Sequence, residues 1–209
     1  MKKYTPISMV KNGRYVFYHQ ELSKDDQTII LEKIQNLINE NQEYCDKINF
    51  DNLCNLFYTI SAYQLLITKN KTKEEAINIL SNAMYSFLTS SKEKYEKLFK
   101  SNLFFKLARI FIPKMMIKQN GHGWILEKNE GDKKTIKFTC HLCLMKTICD
   151  KYNVSFLTPI FCGADLYQYN NLPYTSFHRH ETLGKGGTKC DFMFKRHDKG
   201  EQIVREENV

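Results

Sequence analysis

The residues able to do chemistry crowd the last third of the chain: Cys162, Asp165, Arg179, Cys190 and Asp191. A guanidinium grips a carboxylate through two parallel hydrogen bonds, a thiol attacks once its pKa is lowered, and a carboxylate moves protons. Arg179 belongs to a hairpin with arms Ser176 to Leu183 and Lys189 to Phe194, joined by Gly184-Lys185-Gly186-Gly187, whose glycines tolerate positive φ. A two- or four-residue loop sets Arg179 opposite Phe192 and Glu181 opposite Cys190. It gathers Phe177, Arg179, Glu181, Cys190, Phe192 and Phe194 on one face, and His178, His180, Thr182, Asp191 and Met193 on the other. A three-residue loop with a bulge exchanges the faces of the second arm. On the first register Arg179 enters an aromatic, thiol-bearing layer, where a guanidinium needs an anion. That anion is either Glu181 or another internal acid, or the carboxylate of a ligand.

Phe161-Cys162-Gly163-Ala164-Asp165 reads as an extended segment leading into an aromatic loop that ends at Tyr174. Its Cys-x-x-Asp spacing suits an activated nucleophile, a metal pair or neither. A neighbouring carboxylate raises a thiol's pKa, so a Cys162 thiolate requires Arg179 or a histidine close by. Cys140-His141-Leu142-Cys143 has the spacing of a zinc knuckle without a matching second one. Cys162, Cys190, His178 and His180 are the residues left to complete a structural zinc; the alternative is that Cys140 and Cys143 face the core, and no cofactor is expected. His19, His122 and His197 stand alone and read as surface positions. A Walker loop, a dinucleotide-binding glycine pattern, a Gly-x-Ser-x-Gly elbow and a His-Glu-x-x-His motif are all missing from the sequence, which disfavours those enzyme classes.

Positioning falls to two kinds of element. Residues 1–120 read as helical. Ser23 and Asp26 open a helix with Ile30, Ile34, Leu37 and Ile38 on one face. A second helix spans about Asp51 to Thr68. Thr72 and Glu75 form a capping box ahead of Ile77, Leu80, Met84 and Leu88. A further helix is expected from near Ser91 to Ile112, with Pro113 stopping it. Residues 121–209 read as sheet: Trp124 to Glu127 and Lys134 to Thr139 make a hairpin, Leu142 to Tyr152 a short helix, and the final hairpin precedes a frayed tail from Lys195. The fold class is α+β, an N-terminal helical half followed by an antiparallel sheet with an embedded helix, the two parts forming one compact domain.

Composition narrows the function. The 209 residues are 42% hydrophobic, enough for a real core, and carry a formal charge of +8. Lysines on solvated helix faces, mixed with acids, account for that charge without nucleic acid. No apolar run reaches the roughly 18 residues of a membrane span, and Met1-Lys2-Lys3-Tyr4-Thr5-Pro6 is not followed by the apolar stretch of a signal peptide. The reading is a cytosolic chain with reduced thiols, since seven cysteines is an odd number.

Cys162-Gly163-Ala164-Asp165, followed by Arg179, Thr182, Gly186 and Cys190-Asp191-Phe192 in order, resembles the closing pattern of the L-2-amino-thiazoline-4-carboxylic acid hydrolase family. Cys140 resembles a cysteine that opens the preceding helix there, and His180 departs from an expected Thr. The likeness covers roughly 120 to 195. It implies a bacterial-type enzyme of cysteine metabolism that opens a cyclic isothiourea with water to give N-carbamoyl-L-cysteine. It also implies Arg179 as the clamp on a small carboxylate substrate, with Thr182 and His180 beside it. Asp165 or Asp191 would be acid/base, and Cys162 or Cys190 a nucleophile. A non-catalytic ligand-binding module with a vinyl-reductase-like α+β fold is the alternative. Whether the protein acts as a monomer or a homo-oligomer is left open.

Overall fold

A computed structural model describes residues 3–205 of the chain. The helical part is built on α4 (Phe50–Thr68), whose buried residues run around its whole circumference. A helix apolar on every side has no face for water and must sit inside its neighbours. Around it pack α1 (Pro6–Asn12), α2 (Val16–Glu21), α3 (Lys24–Glu40) and α5 (Lys73–Phe99). Ser23 caps α3, accepting from the Asp26 amide at 3.2 Å. The capping box of α5 forms as its spacing predicts: Thr72 Oγ1 accepts from the Glu75 amide, and the Glu75 carboxylate accepts from the Thr72 amide at 2.8 Å.

Two helix boundaries differ from the expected ones. α5 passes through Ser91 to Phe99, because serines leave every backbone donor in place and cannot break a helix whose far end is buried. The break comes at Ser101, whose hydroxyl accepts from the Phe104 amide at 3.2 Å and starts α6 (Asn102–Ile117). Pro113 does not stop α6. It removes one helical hydrogen bond, but Ile112 and Met116 pack into the second core and carry the helix onward.

Four antiparallel strands follow in the order β1 (Ile125–Lys128), β2 (Thr135–Leu142), β4 (Cys190–Arg196), β3 (Thr175–His178). α7 (Leu144–Lys151) and α8 (Thr158–Tyr169) lie between β2 and β3, so two helices are embedded in the sheet part. The α+β class and the first hairpin stand as predicted. In the last pair Phe177 faces Phe194 and His178 faces Met193. This is the first of the two registers considered, but the ladder ends at His178. The Asp191 carboxylate takes the Glu181 amide at 2.9 Å, in place of a ladder carbonyl, and the chain leaves the sheet. A short 3₁₀ turn, Leu183–Lys185, reverses it, and Gly186 supplies the positive φ of 88° that closes the turn.

Two apolar clusters result. One surrounds α4; the other lies between α6 and the sheet around Phe99, Phe105, Phe138, Phe177 and Phe194, and Trp124 and Cys143 touch both. Among the described residues no helix is long and apolar enough to cross a membrane.

The tail does not fray at Lys195. β4 extends to Arg196, which is buried, with its guanidinium donating to the carbonyls of Phe99, Lys100 and Pro173 and lying near the rings of Phe105 and Tyr174. A cation suits this spot because the end of α5 presents carbonyls without helical partners. The expected fraying beyond 205 lies outside the described residues. Arg196→Met leaves those carbonyls dry and unpaired, so it should destabilise the fold by about 2–4 kcal/mol in urea unfolding. A loss below about 1 kcal/mol would mean that the clamp contributes no more than an ordinary surface contact.

Candidate active site

The segment expected to be extended is the helix α8. Thr158, Phe161, Cys162, Asp165 and Tyr169 recur at three- and four-residue steps, so a helix puts all of them on one face. Pro159 is tolerated in the first turn, where its missing amide has no helical partner. Behind that face Ile160, Ala164 and Gln168 are buried, and Tyr167 stacks on Tyr85 of α5 at 5.2 Å. The 3₁₀ turn presses against α8 so closely that a Cβ on Gly184 would lie 2.7 Å from Cys162 Sγ and 2.9 Å from Thr158 Cγ2. A glycine is required there for contact rather than for dihedral freedom.

The α8 face borders a cavity of about 700 Å³. Cys162, Asp165, Arg179, Cys190, Cys140 and Cys143 line it together with Arg14 and Asn52. Most of its remaining wall is apolar, from Phe104, Leu107, Phe111 and Met115 of α6 and Phe138, Phe192 and Phe194 of the sheet, with Thr158, Gln119, Tyr95 and Tyr169 adding polar groups.

Arg179 is 2% exposed at its side chain and joins α8 to the end of β3. One terminal nitrogen donates to Asp165 Oδ2 at 3.0 Å, the other to the Cys162 carbonyl at 3.0 Å, and the guanidinium lies 5.7 Å from the centre of the Phe192 ring. Of the two readings left open for this residue, the internal ion pair is the one formed. Its partner is Asp165, not Glu181, which instead accepts from the Thr188 amide at 2.9 Å. Asp165, 34% exposed at its side chain, lines the cavity. Burial pushes its carboxyl up to about 6, against the pull of Arg179 and Arg14.

The thiols divide. Burial pushes Cys162 up to about 11; Asp165 adds to the rise, while the Thr182 hydroxyl, 3.7 Å from Sγ, and Arg179 oppose it. Cys190 faces Cys140 across the β2–β4 ladder and is pushed down, chiefly by the neighbouring Cys140 thiol and then by the Leu183 amide at 3.3 Å and by Arg179. Cys143, at the start of α7, is also pushed down, first by Cys140 and further by the Lys146 and Met145 amides of that helix end. Cys140 itself lies within β2 rather than opening the helix.

Other predicted residues lie elsewhere. Thr182 turns inward to Cys162 and leaves the face on which the hairpin model placed it. His180 is exposed and bonds to Asp191 at 2.8 Å; neither residue lines the cavity. Burial works against the Asp191 charge, yet the Glu181 amide and His180 hold its carboxyl below the usual range. Of the residues considered for zinc, the cysteines share the cavity but the histidines are engaged elsewhere: His178 bonds to Ser176 and His180 to Asp191, and no group of three or more His, Cys, Asp or Glu among the described residues is arranged to hold a metal ion. His19 is not a surface residue but is buried against Tyr58, and His197 is largely covered and bonds to Ser176 at 2.8 Å. His122 pairs with Asp46. Arg14 and Asn52 are among the polar cavity residues that sequence reasoning missed, with Gln119, Thr158, Tyr95 and Tyr169, for none carries a local motif.

No curated protein and no solved structure matches the chain. The family model of L-2-amino-thiazoline-4-carboxylic acid hydrolase matches residues 53–194, from α4 through the Cys190-Asp191-Phe192 strand, and so takes in α8, Arg179 and every cavity cysteine. On that extent of match the chain belongs to the L-2-amino-thiazoline-4-carboxylic acid hydrolase family.

Proposed function

We propose that the protein hydrolyses a cyclic isothiourea such as L-2-amino-thiazoline-4-carboxylate, with Asp165 as its acid/base. The observation that carries this reading is the Asp165–Arg179 pair, 3.0 Å apart on the wall of a thiol-lined cavity. Ring carbon 2 is an amidine-type electrophile. Ionised Asp165 takes one proton from water as the oxygen bonds to carbon 2, while the π pair of the bond from carbon 2 to the ring nitrogen moves to that nitrogen, which gains the second water proton as the new oxygen becomes a carbonyl. The carbon–sulfur bond then breaks with its electron pair going to sulfur, and the proton passes from Asp165 to the departing thiolate. The product is N-carbamoyl-L-cysteine, and no cofactor enters the balance. A carboxyl poised near 6 suits both halves of this exchange.

Arg179 acts here by holding the Asp165 carboxylate in place and keeping it ionisable inside an apolar wall. Water is favoured over Cys162 as the attacking group, because that thiol stays protonated near neutral pH. Cys190 is the better thiol should covalent attack occur, having amide and thiol neighbours that favour its anion.

Two outcomes follow. With L-2-amino-thiazoline-4-carboxylate, the appearance of free thiol should give a kcat/KM that rises as pH passes through about 6, where Asp165 ionises. Asp165→Asn should lower kcat by about 10²–10⁴-fold; saturable binding without turnover by the unaltered protein would instead mark a binding module. Arg179→Met removes the charge that favours the Asp165 anion, so the acid limb of the profile should move to higher pH, and Arg179→Lys should bring it part of the way back. An acid limb that stays in place in Arg179→Met would take away the role assigned to the pair.

A further inference from the structure

Arg14 sits in the turn between α1 and α2, outside the span matched by the family model. Its backbone is fixed: its amide donates to Asn55 Oδ1 of α4 at 2.7 Å, and the preceding Gly13 packs on Cys54. Its half-buried side chain lines the cavity near Asp165. Arg179 and Arg196 donate to internal oxygens, whereas the Arg14 guanidinium donates to none among the described residues. Asn52, on the same helix as Asn55, also lines the cavity, and its side chain makes no hydrogen bond among the described residues. The Arg179–Asp165 pair is neutral as a unit. Arg14 therefore adds a positive charge that a monoanionic ligand would balance.

Size points the same way. A bare amino-thiazoline acid has about nine non-hydrogen atoms and fills on the order of 150 Å³ at organic packing density. The cavity holds about 700 Å³, and its α6 wall offers only apolar contacts at Phe104, Leu107, Ala108, Phe111 and Met115. Water in such space gains little, and an apolar group displaces it favourably.

We propose that Arg14, with Asn52 beside it, is the carboxylate site for the substrate, and that the α6 side of the cavity takes an apolar substituent on the ring. The substrate class is then an amphiphilic cyclic amidine acid. This rests on the hydrolase reading above and extends it.

The test measures kcat/KM for the bare ring acid, for a series alkylated at ring carbon 5 from methyl to butyl, and for the matching carboxamides. Each added methylene should raise kcat/KM about fourfold until the wall is filled. Ala108→Phe, which occupies that space, should shift the preference toward shorter substituents. Arg14→Met should cost about 10–100-fold on the acids and little on the carboxamides, since only the acids carry the charge it binds. A flat or falling series with an active bare acid overturns the apolar site while leaving the hydrolase reading intact. Equal losses on acids and carboxamides overturn the Arg14 assignment. Failure to turn over any member overturns both readings.

Discussion

Burying the Arg179 guanidinium is the constraint around which the site is arranged. With its side chain 2% exposed, the charge has no recourse to water, and an unpaired cation there would cost several kcal/mol. The Asp165 carboxylate and the Cys162 carbonyl meet that demand, and both come from α8. The pair therefore ties the end of β3 to a helix that otherwise packs on α5. It also fixes where the acid can be. Asp165 is held on the cavity wall with one oxygen bonded to Arg179, while the apolar surroundings keep its pKa high enough for proton transfer in both directions. One interaction thus serves the fold and conditions the chemistry.

The sequence made much of this legible, and the misses have physical causes. The Thr72–Glu75 box, the Ser23 cap and the apolar stripe of α5 depend on neighbours three or four positions apart, which the linear order shows directly. The alternation in β2 was legible in the sequence, but the register of Phe177 with Phe194 was one of two left open, because the loop length that decides between them is not fixed by the strands' own pattern. Where the last hairpin stops was not, since it depends on the Asp191 side chain capturing the Glu181 amide. α8 was misread although its cavity-facing residues carried a helical spacing. It lacks a side-chain N-cap, contains Gly163 and is rich in aromatics, each of which weakens a local helix signal that packing on α5 then overrides. Helix ends failed in the same way: Pro113 and Ser91 have local costs that are small beside the burial around them.

Arg14 shows the limit of motif reading for the site. Cys162 and Asp165 share a helix face through their spacing, and Arg179 directly follows β3, whose partner strand β4 begins at Cys190, so a short stretch of sequence can bring them together. Arg14 reaches the same cavity only because α1 and α2 fold against α4, with Asn55 holding the turn. Nothing near it in sequence encodes that arrangement. Its information lies in the buried face of α4, which is apolar on all sides and so forces neighbours around it.

The cluster of Cys140, Cys143 and Cys190 on the cavity wall raises the question of why the acid, rather than sulfur, would carry the proposed reaction. Cys140 is pushed up while Cys190 and Cys143 are pushed down, because the Cys140 thiol keeps its proton and donates it toward the sulfur of either neighbour. An anion on Cys190 stands near Asp165, and two negative charges in an apolar wall repel strongly. Ionising the acid therefore works against ionising Cys190, and the Arg179 cation cannot fully neutralise both. With Asp165 as base, as proposed, the thiols would stay neutral and would line the space around a sulfur leaving group. With Cys190 as nucleophile, Asp165 must stay protonated, and a carboxyl that titrates near 6 is mostly ionised at neutral pH. The charge balance of the wall thus favours the carboxylate as the group that activates water.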